Sequence, residues 1–156
     1  MMQALALADR AAHTGEVPVG ALVVLNGTVI GEGWNQCITT ADPTAHAEVI
    51  ALRQAALFIG NYRLTGATIY VTLEPCSMCA GAMIHARVSE LVFGATEPKT
   101  GVVCSQGQFF SQPYLNHRVS VVGDILAEQS TQRLQAFFKA RRMTKKQMAA
   151  FSQIDY

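Results

Sequence analysis

The sequence predicts an α/β protein in which one sheet carries helices on both faces. Three observations lead there. Short β-rich apolar runs alternate with longer helix-patterned segments along the 156 residues, the order that lays helices against a sheet. The first two runs are separated only by Asn26-Gly27, the residues a type I′ hairpin turn demands because both central positions need positive φ. The later runs are separated by helical segments, so they pair in parallel through crossovers while the hairpin pairs antiparallel. No internal repeat, low-complexity tract or linker divides the chain. Residues 1–156 are therefore read as one domain.

The elements follow in order. Residues 2–13 are rich in Ala and Leu and form a helix that stops near Gly15. Residues 19–25 and 29–34 are the two strands of the hairpin. Thr44 caps a helix from Ala45 to about Phe58, with Asp42-Pro43 just ahead of it. Residues 67–73 form a strand. Residues 76–85 form a helix with Pro75 at its start, where a missing N–H is harmless. Residues 90–94 are a further strand. Residues 95–117 are polar and weakly periodic and form a loop with short turns. A last strand at 118–122 precedes a C-terminal helix from Ile125 to about Met148, in which Phe137 and Phe138 are read as core residues rather than stacking platforms.

Composition narrows the class. Half the residues are hydrophobic and 15% are charged, which describes a folded domain rather than a disordered chain. No apolar run is long enough to span a bilayer, and the N-terminus lacks the basic and apolar parts of a secretory signal. Four cysteines, two of them three apart, read as a metal site in a reducing compartment, hence a cytoplasmic protein. Net charge is only +1, yet six of the twelve Lys and Arg residues lie between Arg133 and Lys146. Such a stripe fits a polyanion partner. Composition alone equally allows a solvated last helix.

The chemistry-bearing residues are His46-Ala47-Glu48 and Pro75-Cys76-Ser77-Met78-Cys79. One imidazole and two thiols, from His46, Cys76 and Cys79, can hold a zinc ion and leave its fourth position open, as a catalytic site requires. A cysteine pair spaced i, i+3 shares a helix face. At a helix start, free backbone N–H groups and the helix dipole favour thiolates. His46 and Glu48 are two residues apart, about 200° around a helix, so they reach one ligand only from a helix end. Glu48 then serves as an acid/base, moving protons between a zinc-activated water, a ring nitrogen and a departing amino group.

The spacing H-x-E…P-C-x-x-C is the signature of the zinc nucleobase deaminases. Longer runs resemble the bacterial tRNA-specific adenosine deaminases: Glu16-Val17-Pro18-Val19-Gly20-Ala21, Gly31-Glu32-Gly33-Trp34-Asn35, Asp42 to Glu48, Asn61-Tyr62-Arg63-Leu64, Tyr70 to Pro75, Met78 to His85, Lys99-Thr100-Gly101, Asn116-His117-Arg118-Val119 and Phe137 to Arg142. The resemblance covers nearly the whole chain. It implies a three-layer α/β/α, cytidine deaminase-like fold with a mixed five-stranded sheet, a homodimer, and hydrolysis of the adenosine at the first anticodon position of a tRNA to inosine. It also implies zinc on His46, Cys76 and Cys79, with Glu48 as proton shuttle. Asn35 reads the flipped nucleoside and Ala47 lines the pocket through its backbone. Arg63, Lys99, Arg141 and Arg142 contact the anticodon stem-loop. Two positions depart from the family pattern: Glu97 stands where Asp is commoner, and Cys37 where Pro is. Cys37 and Cys104 lie outside the motif and read as small buried or loop thiols.

An RNA substrate agrees with the chemistry, because a stacked base is out of reach and an anticodon loop offers an unstacked one. The motif alone also fits a zinc deaminase of a free base or nucleotide of the guanine or cytosine type. It fits equally a non-catalytic zinc protein that binds RNA, although such a protein has no use for Glu48.

Overall fold

A computed structural model describes residues 1–151. The chain runs α1 (Met2–His13), β1 (Gly20–Leu25), β2 (Thr28–Trp34), α2 (Cys37–Thr40), α3 (Ala47–Ile59), β3 (Thr68–Leu73), α4 (Ser77–His85), β4 (Glu90–Ala95), a 3₁₀ turn (Phe109–Ser111), β5 (Ser120–Val122) and α5 (Ala127–Phe151). The five strands form one sheet in the order β2-β1-β3-β4-β5. β1 is antiparallel to both β2 and β3, while β3, β4 and β5 are parallel. The sheet is thus mixed, as expected. Asn26 and Gly27 take φ of 50° and 77°, the left-handed pair that the hairpin turn requires.

Alternation along the strands assigns the two faces. Ala21 and Val23 of β1, with Ile69, Val71, Leu91 and Phe93, join the main core beneath α3 and α4. Leu22 turns the other way and packs with Ala4 and Leu7 of α1, beside Val24 and Tyr70. α5 lies beside α1, joined to it by Arg133 bound to Asp9 through two hydrogen bonds of 2.7 and 3.0 Å. α3 sits directly on β2 because Gly31 and Gly33 have no side chains. A Cβ at Gly33 would stand 2.2 Å from the Ala47 carbonyl oxygen, and one at Gly31 would stand 2.3 Å from that of Ala51. These glycines fix the height of the N-terminus of α3 over the sheet.

Several expected boundaries move, each for a local reason. Thr44 does not cap α3. Asp42 Oδ1 accepts its N–H and its hydroxyl, both at 2.7 Å, and this turn delays the helix to Ala47, with His46 as the N-cap. Pro75 lies two residues ahead of α4, whose N-cap is Cys76 in extended backbone. α5 begins at Ala127 rather than Ile125, because Asp124 and Leu126 take φ of 62° and 57°, which no right-handed helix accepts. β5 begins at Ser120 because its partner strand β4 begins at Glu90, the residue Ser120 pairs with. The four-residue α2 has no counterpart in the sequence reading. Phe138 is 43% exposed and Phe137 is only half-buried, so this pair is not core as expected. The pair lies where α5 turns solvent-facing, since every residue from Phe138 to Gln147 is exposed.

Candidate active site

β2 ends at Trp34, and the next residue, Asn35, is tied back by its N–H to the Val19 carbonyl at 3.1 Å. β3 ends at Leu73 and leads through Glu74 and Pro75 to the start of α4. The starts of α3 and α4 face the same hollow, lined by Val19, Asn35, His46, Glu48, Leu73, Glu74, Cys76, Glu97 and Thr100. His46 is in extended backbone (φ −73°, ψ 149°), off the helical periodicity, so its ring and the Glu48 side chain reach the same place from one helix end.

His46 Nδ1 lies 3.7 Å from Cys76 Sγ and 3.5 Å from Cys79 Sγ, and the three donor atoms all lie within 4.8 Å of one another. Zn–N and Zn–S bonds of about 2.05 and 2.3 Å at a tetrahedral angle place N and S about 3.6 Å apart. The donor spacing therefore fits a tetrahedral zinc ion, and this is the only such group among the described residues. The two thiols interact strongly, and their acidities split in opposite directions. Cys76 is held down to about 3, first by the hydrogen bond from the Cys79 thiol and, against the cost of burial, also by His46. Cys79 moves the opposite way as the donor in that bond, and burial adds to the rise. His46 is raised, chiefly by its hydrogen bond to Cys76.

Glu48 is 4% exposed, and burial pushes its carboxyl above the usual carboxylate range. That is the direction an acid/base working near neutrality needs. Asn35 Oδ1 accepts the Ala47 N–H at 2.9 Å. The start of α3 thus orients the Asn35 amide, whose NH₂ is left to donate. Ala47 itself is fully buried and does not line the hollow.

The structure gathers His46, Cys76, Glu48 and Asn35 around one hollow, with Cys79 buried just beneath. The four basic residues lie elsewhere. Lys99 is exposed at the rim, its N–H donating to Glu97 Oε1 at 2.9 Å, next to Thr100. Arg63 is exposed on the β3 approach, its guanidinium 5.3 Å from the centre of the Tyr62 ring. Arg141 and Arg142 are exposed on α5 in a groove with Ala12, Phe137 and Phe138. Cys37 is half-buried in α2, and Cys104 is exposed on a turn.

Glu74, Thr100, Val19 and Leu73 also line the hollow, and sequence reasoning gave them no role there. Glu74 did leave a trace, as an acidic residue ending an otherwise apolar run directly before Pro-Cys. Burial raises its pKa, but hydrogen bonds from the Ser105 hydroxyl and from the Ser105, Cys104 and Glu97 amides outweigh this and hold it down to about 2.

A mixed sheet whose strand ends feed two helix N-termini, each carrying metal donors to one hollow, defines a protein of the cytidine deaminase-like class. The family model of the MafB19-like deaminases matches residues 1–142. A tRNA-specific adenosine deaminase of Haemophilus influenzae is 53% identical over 147 residues, 94% of this chain and 85% of the relative. That of Bacillus subtilis is 42% identical over 146 residues, 94% of this chain and 91% of the relative. A solved structure from work on A-to-I editing by tRNA:A34 deaminases at the wobble position of transfer RNA is 44% identical. It superposes with a TM-score of 0.84 over 86% of this chain and 97% of that one. Guanine deaminase from Nitrosomonas europaea is 21% identical with a TM-score of 0.73 over 87% and 81% of the two chains, and shares the fold. The chain belongs to the bacterial tRNA-specific adenosine deaminases.

Proposed function

We propose that this protein hydrolyses the adenosine at the wobble position of a tRNA anticodon to inosine, with one zinc ion per chain on His46, Cys76 and Cys79. The observation that carries this is the trio of donors at tetrahedral spacing beside the buried Glu48 carboxyl. When bound, zinc supplies the activation of water at neutral pH. The chain's own residues do the rest. Glu48 accepts the proton of the attacking water and passes it to the ring nitrogen beside the amino-bearing carbon, which makes that carbon electrophilic. It then takes the remaining proton from the added hydroxyl and delivers it to the amino group, so the C–N bond breaks, the hydroxyl oxygen becomes the carbonyl of inosine, and ammonia leaves. Asn35, oriented by Ala47, donates its amide to the flipped nucleoside. Lys99 at the rim, with Arg63, Arg141 and Arg142 further out, meets the phosphates of the stem-loop.

The protein acts in the cytoplasm as a homodimer whose subunits are single deaminase domains. The groove between α3 and α4 supports the pairing. It is lined by Val49, Leu52, Ala56, Ala82 and the 64% exposed Tyr62, with Arg53 and His85 at its polar side. The test is incubation of zinc-loaded protein with an anticodon stem-loop carrying adenosine at the first anticodon position. Inosine at that position is expected. Turnover of free guanine or cytosine without inosine in the RNA contradicts the proposal.

A further inference from the structure

Glu74 is 2% exposed, and neither ion pair among the described residues involves it. A buried carboxylate is costly unless other groups satisfy it. Here the groups are backbone amides of one segment. Oε1 accepts the N–H groups of Val103, Cys104 and Ser105 at 3.0, 2.8 and 2.9 Å. Oε2 accepts the Glu97 N–H at 2.9 Å and the Ser105 hydroxyl. The segment they close, 97–105, belongs to no strand or helix. Its internal bond from Gly101 N–H to the Glu97 carbonyl shapes a turn but does not attach it to the body. Polar attachment comes from Glu74 and from the Val102 N–H on the neighbouring Pro75 carbonyl at 3.1 Å, and Val103 adds its side chain to the main core.

The fit is tight. A Cβ at Gly101 would stand 2.5 Å from Glu74 Cδ and Oε2 and 2.6 Å from the Glu97 carbonyl oxygen, so the turn closes directly onto the carboxylate. The same segment carries Glu97 and Thr100 into the hollow and Lys99 to its rim. A second buried carboxylate works alike: Glu16 Oε1 accepts the Ile38 and Thr39 N–H groups at 2.8 and 2.7 Å and holds the stretch between Asn35 and His46.

We infer that Glu74 is a positioning residue, which pins segment 97–105 as a wall of the substrate hollow and thereby sets how a nucleotide is held while leaving metal retention to the donors. The inference rests on the deaminase reading above and deepens it. A carboxylate is needed because all five partners are donors. A glutamine keeps one accepting oxygen and turns an NH₂ against the others.

The test compares wild-type and Glu74→Gln holoenzyme by zinc content, residue-resolved hydrogen exchange and stem-loop kinetics. Zinc stays at the wild-type ratio. The amides of Glu97, Val103, Cys104 and Ser105 exchange about tenfold faster or more, while β3 and β4 keep wild-type rates. kcat/KM falls about tenfold or more, with KM carrying most of the change. Unchanged exchange at those four amides overturns the inference, as does unchanged kcat/KM or loss of zinc. If Glu74→Gln does not fold, Gly101→Ala decides, because it displaces the turn with Glu74 intact. Lowered kcat/KM with zinc retained supports the role, and wild-type kcat/KM overturns it. Absence of inosine from the wild-type reaction counts against the deaminase reading itself. Wild-type activity without the exchange pattern counts only against Glu74.

Discussion

The donors in the hollow are held from several directions, whereas the basic side chains of α5 have almost no support. His46, Cys76 and Cys79 sit at helix starts fixed by the β2 glycines and by the end of β3, with Glu48 buried beside them. In α5, Ser130 is buried and Arg133 clasps Asp9, but from Phe138 to Gln147 every residue is exposed. Single residues therefore matter differently in the two regions. In the hollow each donor or acid has a position fixed by specific contacts, so one substitution removes a function. Along α5 the resource is summed positive charge, so one substitution removes a share of it.

The comparison breaks most visibly if a donor proves dispensable. Cys79→Ala is expected to lower zinc affinity by more than the roughly 10–100-fold that loss of a supporting partner costs, and to destabilise the fold with it. Zinc analysis of the purified variant and its melting curve check this, and wild-type zinc content contradicts the ligand assignment. Next, Glu48→Ala keeps zinc but lowers the stem-loop deamination rate by about 10²–10⁴-fold, read in single-turnover assays. Asn35→Ala leaves the Ala47 N–H without its acceptor and removes the amide aimed at the nucleoside. A loss of about 1–3 kcal/mol in transition-state binding, seen in kcat/KM, is expected. The smallest effect belongs to the arm. Arg141→Ala with Arg142→Ala weakens stem-loop binding and reduces the salt slope of log K by about 1.4, at about 0.7 per phosphate contact. Titrations at several salt concentrations read it, and an unchanged slope reduces this stretch of α5 to a solvated face.

The same contrast explains what the sequence could reveal. Local rules sufficed where local chemistry decides. Asn26-Gly27 set the hairpin turn, and the two-residue spacing of His46 and Glu48 required a helix end. The metal-donor trio was legible because it needs only three residue types at motif spacing. Long-range satisfaction was not legible. Glu74 finds its partners 23 to 31 residues downstream, and Glu16 finds them 22 and 23 residues on. In sequence both look like ordinary solvated acids. α2 is too short for a periodic signal and is held by Glu16. Thr44 had the composition of a cap, but Asp42 competed successfully for its side chain.

The central claim is that one nitrogen and two sulfurs of this chain share an ion and leave room for solvent. X-ray absorption at the zinc edge of the purified wild-type protein tests it most directly. Two sulfur atoms, one imidazole nitrogen and one light atom from water are expected around the metal, from Cys76, Cys79, His46 and solvent. A shell of four protein ligands, or sulfur missing from it, would contradict this site.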